Sequence, residues 1–268
     1  MQPADSGEPA GMSVPNGPRV KDYFLGGKDN YAADRAKAED LEAAAQAHSR
    51  TSIREMVRLN RAFTLKAVTW SASMLGIGQF LDLGCGLPSR PSVHEAARDG
   101  YPDARVVYVD SDPLVMVHVA ALQNGPGLAA VQADDLADPV PVLREVRELL
   151  DFTEPACIVL GGVLSGMDSG AARKAVAGYA DVLAPGSAMV ISCAVYGDPE
   201  FGERMADLFG GDGRWFNHTK DDIASFFSAG ELRLVHGRVM DLRCWPTCPV
   251  TAQDEPGGMV LGGIGLVD

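Results

Sequence analysis

The chain carries 36 acidic and 23 basic side chains over 268 residues, a net charge of −13. That balance argues against nucleic acid and anionic membrane as partners, because both recognitions rest on an excess of Lys and Arg. An apolar content of 46% supplies a core for one large α/β domain or two small ones, and five scattered cysteines without a Cys-x-x-Cys pair point to reduced thiols in a cytoplasm, with no metal site.

Residues 1–18 are Pro/Gly/Ser-rich and read as a flexible tail, without the positive start and apolar core of a signal peptide. Residues 19–36 mix apolar positions with Gly26-Gly27 and Asp29-Asn30, so an irregular segment with turn chemistry is expected there. An Ala/Glu-rich helix follows over 33–48. A longer one over 52–74 has Met56, Leu59, Phe63, Ala67 and Trp70 at helical spacing, interrupted by the polar Asn60 and Arg61.

Beyond residue 76 the pattern changes. Apolar runs at 79–83, 105–110, 128–133, 156–163 and 187–194 alternate with helical stretches near 92–99, 113–122, 139–149 and 168–183. This is the signature of βαβ units and a mainly parallel sheet. A helix near 219–229 precedes two last runs, 231–238 and 258–266. No helix fits between these, so they are expected to pair as an antiparallel hairpin, with Cys244, Cys248 and a polar turn at 253–258 between them. The longest apolar run, 156–164, is roughly half the length that spans a bilayer. No repeat or linker divides 19–268, so a single domain is expected, with 19–75 ahead of a Rossmann-like core at 76–268.

The first βα turn, Asp82-Leu83-Gly84-Cys85-Gly86, is the layout that holds a nucleotide at the carboxyl edge of a parallel sheet. A dinucleotide site would place a third glycine where Ser89 stands and start a helix at once. Here Pro88 and Pro91 delay the helix to Ser92-Val-His-Glu95, which reads as a capping box. That spacing suits a ligand without a pyrophosphate and argues against an NAD-dependent oxidoreductase. Alone, Gly-x-Gly also fits an ordinary tight turn. Asp110 ends the second run, where a carboxylate can accept ribose hydroxyls, and Asp134-Asp135 follows the third, where one can accept the adenine amine. Taken singly, each acid also fits simple solvation of a strand end. Together they favour an adenosine ligand without phosphates, with S-adenosylmethionine (SAM) foremost.

With these stretches the chain resembles the class I SAM-dependent methyltransferases, and more narrowly the actinobacterial-type S-adenosyl methyltransferase family long known as a domain of unknown function. The resemblance runs over Arg19 to Asp34, Val57 to Phe63, Phe80 to Pro88, Val93 to Glu95, Ala104 to Asp112 and Leu183 to Ser187. It implies a seven-stranded, mostly parallel sheet with an antiparallel last strand, SAM along the first three strands, and a helical cap formed by 19–75. Cys85 stands where the family usually has Thr. Ser165 stands where relatives tend to carry His.

Under this resemblance Gly84 and Gly86 contact the cofactor by backbone, Asp110 with Ser111 takes the ribose, and Asp134 with Asp135 the adenine. Asp82 reaches the methionine amine through water or braces the loop. Asn60 and Arg61 bind the methionine carboxylate or form a surface salt bridge. In the cap, Tyr31 belongs with the cofactor and Tyr23 faces the methyl group, unless it is a packing tyrosine. Ser165 and His94 complete the candidates for proton handling, His94 also fitting a structural role at its helix start. Trp215, Phe216 and Trp245 are candidates for an aromatic pocket or for core. The expected acceptor is a small, partly apolar specialised metabolite, such as the indole of a tryptophan-containing cyclic dipeptide. A SAM-binding regulator without catalysis is the alternative.

Overall fold

The apolar runs fold as β1 (Gln79–Leu83), β2 (Arg105–Asp110), β3 (Leu128–Gln132), β4 (Cys157–Gly161) and β5 (Ala188–Tyr196), all parallel. They stand in the computed structural model, which describes residues 12–48, 52–210, 215–247 and 258–268. The sheet order is β3-β2-β1-β4-β5-β8-β6, where β6 is Arg233–Leu234 and β8 is Gly258–Leu266. β8 runs antiparallel to β5, from Ala188 opposite Leu266 to Tyr196 opposite Gly258.

The expected pairing of the last two runs holds, but its first partner is short. After Leu234 the chain turns at Gly237 and returns as β7 (Met240–Asp241), which pairs with another stretch of β8. The sheet therefore has eight strands where seven were expected. Cys248 and residues 253–257 of the expected turn lie outside the described residues, as do residues 1–11 of the expected tail.

Nine helices are described: α1 (Gly17–Leu25), α2 (Ala32–Gln46), α3 (Ile53–Leu75), α4 (Val93–Gly100), α5 (Pro113–Leu122), α6 (Pro139–Val146), α7 (Ser169–Ala180), α8 (Pro199–Gly210) and α9 (Lys220–Ala229). Strand alternation splits the interior into two layers. Phe80, Val106 and Tyr108 face a core shared with α1–α5 and α8, while Leu81, Val107 and Val109 face one shared with α6, α7 and α9. None of the described helices is long and apolar enough to cross a membrane.

Two helices were not expected. α1 takes up the first part of the expected irregular segment and starts within the expected tail, and residues 26–31 keep the expected turn character. Asn16 caps it by accepting the Arg19 N–H (3.2 Å), Pro18 sits in its first turn, and Gly26 ends it in the left-handed region. α8 begins where Asp198 Oδ1 accepts the N–H groups of Glu200 and Phe201, and it buries Phe201 and Met205.

The cap is stapled by one fully buried acid. Asp34 pairs with Arg19 Nε at 2.9 Å and accepts the backbone N–H groups of Asn16 (2.9 Å) and Tyr31 (2.8 Å). Arg54, at the start of α3, donates to the carbonyls of Tyr23 and Phe24 and lies 4.9 Å from the Tyr23 ring centroid. α3 carries the cap onto the sheet through Met56, Phe63, Ala67 and Val68, all buried.

Candidate active site

The glycine turn is tied to β2 before any ligand is considered. Gly84 and Cys85 donate their N–H groups to the Val109 carbonyl (2.8 and 3.2 Å). Gly84 has φ +64°, and a Cβ there would collide with Val163, so the position demands glycine twice over. Asp110 accepts the Gly86 N–H at 2.9 Å and the Asp112 N–H at 3.0 Å, which holds the turn against the end of β2. Asp112 caps α5 through the Leu114 N–H and also accepts from Asn16 Nδ2 at 2.7 Å. This last bond fastens the start of the cap across the same strand edge.

The late helix start is built as its capping box predicts. Ser92 Oγ accepts the Glu95 N–H and Glu95 accepts the Ser92 N–H at 2.6 Å. Between Gly86 and Ser92 the loop is held by Arg61, which donates to the carbonyls of Ser89 (3.3 Å) and Pro91 (2.6 Å). Beneath the loop lies a small cleft lined by Arg61, Asp82, Cys85, Gly86, Tyr108 and Gln123.

The electrostatics of this cleft are unusual. Asp82 is buried, and among the described residues its carboxylate has no hydrogen bond or ion pair. Burial pushes its pKa up to about 6, against the pull of Arg61 and Lys21. Arg61 Nε is buried without a hydrogen-bond partner, and burial lowers the Arg61 pKa. The Cys85 thiol is pushed well up by burial and by Asp82 and Asp110, so it is no thiolate nucleophile. A buried acid and a buried guanidinium N–H, both lacking partners beside a glycine turn, fit the two ends of an amino-acid zwitterion.

Residues 5–267 match the model of a family described as S-adenosyl methyltransferase. The chain belongs to this family. It is a SAM-dependent methyltransferase, with SAM as its cofactor. No curated protein matches it. Among solved structures, this methyltransferase is similar to a candidate methyltransferase of Thermobifida fusca YX, at 35% identity and a TM-score of 0.83 over 98% of this chain and 100% of the other. It is also similar to a DUF574 family protein of Streptomyces avermitilis MA-4680, at 27% identity and a TM-score of 0.80 over 96% and 99%. Human N-acetylserotonin methyltransferase in complex with SAM shares the fold at 11% identity and a TM-score of 0.51, over 92% of this chain and 70% of the other.

In this methyltransferase Asp82, Gly84, Gly86, Asp110 and Arg61 meet at one edge, and Ser111 follows Asp110, exposed. Asn60 diverges from its neighbour. It accepts from Ser192 Oγ on β5 (2.5 Å) and abuts Gly162 at the end of β4. Asp134 and Asp135 are exposed after β3, and Asp135 accepts the Ala137 N–H. Tyr31 starts α2, with the Arg19 guanidinium 5.1 Å from its ring centroid.

The three candidates for proton handling have different neighbours. Tyr23 packs against Arg54 and Phe24. His94 lies beneath the loop, bonded to the Tyr108 hydroxyl (2.9 Å), and burial lowers its pKa. Ser165 lies in a 3-10 turn after β4, with a buried hydroxyl that has no partner. The segment 215–218 is clasped beside it. Phe216 donates its N–H to the Ser165 carbonyl (2.7 Å), Asn217 makes two bonds to the Tyr196 backbone, and His218 bridges Leu164 and Ser169. Trp245 packs edge-on against Phe63, its Nε1 without a partner.

Sequence reasoning missed Lys21, Tyr108 and Gln123. The signal for Lys21 was present, since Asn16, Pro18 and Gly26 delimit the helix that sets its charge near those of Arg61 and Asp82. Tyr108 occupies an inward position of β2 and reads as core until His94 is seen on its hydroxyl. Gln123 has no local signal.

Proposed function

We propose that this methyltransferase holds the amino-acid end of SAM between Asp82 and Arg61 and passes its methyl group to a small, partly apolar metabolite. The observation that carries the cofactor part is the pair of buried, partnerless groups beneath the glycine turn, Asp82 and Arg61 Nε. Asp82 takes the ammonium and Arg61 the carboxylate. Asp110 keeps lone pairs for the ribose beside its two backbone bonds, and Asp134 with Asp135 faces the adenine end. Bound SAM supplies an electrophilic methyl on a sulfonium; the chain aligns the acceptor and excludes water.

For the acceptor we assign Ser165 as the hydrogen-bond group. Its hydroxyl is buried without a partner, next to the Trp215–Asn217 segment, which offers an aromatic wall. Ser165 orients rather than deprotonates, because a serine without a base partner is a weak base. The acidic surface favours a small molecule over a nucleic acid. Indole rings of tryptophan-containing cyclic dipeptides are the first acceptors to test. The experiment is incubation with labelled SAM and a panel of small aromatic acceptors, read by mass spectrometry. A labelled aromatic product supports the reading. Labelling only of protein or nucleic acid in a host extract overturns it.

A further inference from the structure

One more polar group of the cleft is buried without a partner and has no place in the assignments above. Gln123 lines the cleft together with Arg61, Asp82, Gly86 and Tyr108. It closes the end of α5, where its backbone N–H donates to the Val119 carbonyl (2.8 Å). Val115 and Val119, two turns and one turn before it, lie on the face that α5 buries. Gln123 is 8% exposed, whereas Leu122 beside it is 63% exposed. The helix end therefore turns a carboxamide inward and leaves a leucine in water.

That choice reverses the ordinary order of burial, and it costs free energy unless the amide finds a hydrogen bond inside. Among the described residues Gln123 Oε1 is buried and has no hydrogen-bond partner. Three groups of one cleft are thus unsatisfied, and they differ in kind. Arg61 Nε is a donor, Asp82 an anionic acceptor, and Gln123 Oε1 a neutral acceptor. An ammonium carries three N–H donors, more than its counter-charge alone takes up. A carboxylate offers no donor to a carbonyl oxygen, so Gln123 Oε1 belongs with the ammonium.

We infer that Gln123 is a second acceptor for the ammonium of the cofactor's amino-acid end, beside Asp82, so that the end of α5 selects for an α-amino group. The inference rests on the reading of the Asp82–Arg61 cleft as the amino-acid pocket.

The test is calorimetric titration of the full chain with three ligands. They are S-adenosylhomocysteine, its desamino analogue, which lacks only the ammonium, and methylthioadenosine, which lacks the whole amino-acid end. Parent, Gln123→Leu and Gln123→Glu proteins are used. Gln123→Leu is expected to weaken S-adenosylhomocysteine about tenfold, as for loss of a hydrogen bond to a charged group. Its affinity for the desamino analogue should stay within about twofold of the parent's, which also shows that the variant is folded. Gln123→Glu keeps acceptor oxygens without the amide N–H groups and should recover most of the loss. The inference is overturned if Gln123→Leu binds S-adenosylhomocysteine like the parent. It is also overturned if S-adenosylhomocysteine and the desamino analogue weaken equally, the mark of a packing role. Weaker binding by Gln123→Glu than by Gln123→Leu overturns it too, because the amide N–H would then serve the carboxylate. A parent that binds S-adenosylhomocysteine and methylthioadenosine equally well would instead remove the amino-acid pocket itself, and Gln123 with it.

Discussion

Asp82 stores a cost that a ligand would relieve. Its folded pKa of about 6 lies above the ordinary value of 3.8, so the folded state keeps this proton where the unfolded state has lost it. The ligand-free protein therefore loses stability as pH rises from about 4 to 6, and the full cost is present above that window. Asp82→Asn is expected to stabilise the ligand-free protein at pH 7 by about 2 to 3 kcal/mol relative to the parent. The gain should shrink toward zero near pH 4 in urea unfolding. The same variant should weaken SAM at least about tenfold. For the parent, SAM affinity should fall about tenfold per unit of pH below 6, because the ammonium needs an ionised partner. Nearby, Gly84→Ala combines a left-handed backbone with a collision against Val163. We expect it to cost about 2 to 4 kcal/mol in chemical unfolding.

At the scale of elements, the cap rests on Asp34. Arg19 and Asp34 are 8% and 0% exposed, so removing the acid takes the counter-charge from a buried guanidinium. Asp34→Ala is expected to cost about 3 to 5 kcal/mol locally. Amide exchange over residues 17–46 should then accelerate while β1, β4 and β5 keep their protection. Equal loss in the strands would show that the cap and sheet melt as one unit. α4 and α5 were readable from sequence because their caps are local, Ser92 with Glu95 and Asp112 with Pro113, and α3 because Met56, Leu59, Phe63, Ala67 and Trp70 recur at helical spacing. α1 was obscured by Gly26-Gly27, whose turn signal was extended backward over a helix that Gly26 only ends. β6 was overestimated because its apolar run continues past Leu234, whereas its backbone turns at Gly237.

For the whole molecule, binding and stability are one equilibrium. SAM at a hundred times its Kd should add about 3 kcal/mol, a rise in Tm of roughly 5 to 10 °C for a domain of this size. NAD should give no shift in the same thermal melt, since the loop before Ser92 leaves no helix start against the glycines.

The sequence by itself determined the five parallel strands, the glycine turn, the delayed capping box and the acid ending β2. Each depends on residues a few positions apart, so periodicity and capping chemistry reveal it. Only the tertiary structure decided that β8 enters between β5 and β6, that Asn60 and Arg61 part toward Ser192 and the Ser89–Pro91 loop, and that Gln123 joins Arg61 and Asp82 at one cleft. These groupings come from docking one element on another, where burial and missing partners arise between residues that no local pattern connects.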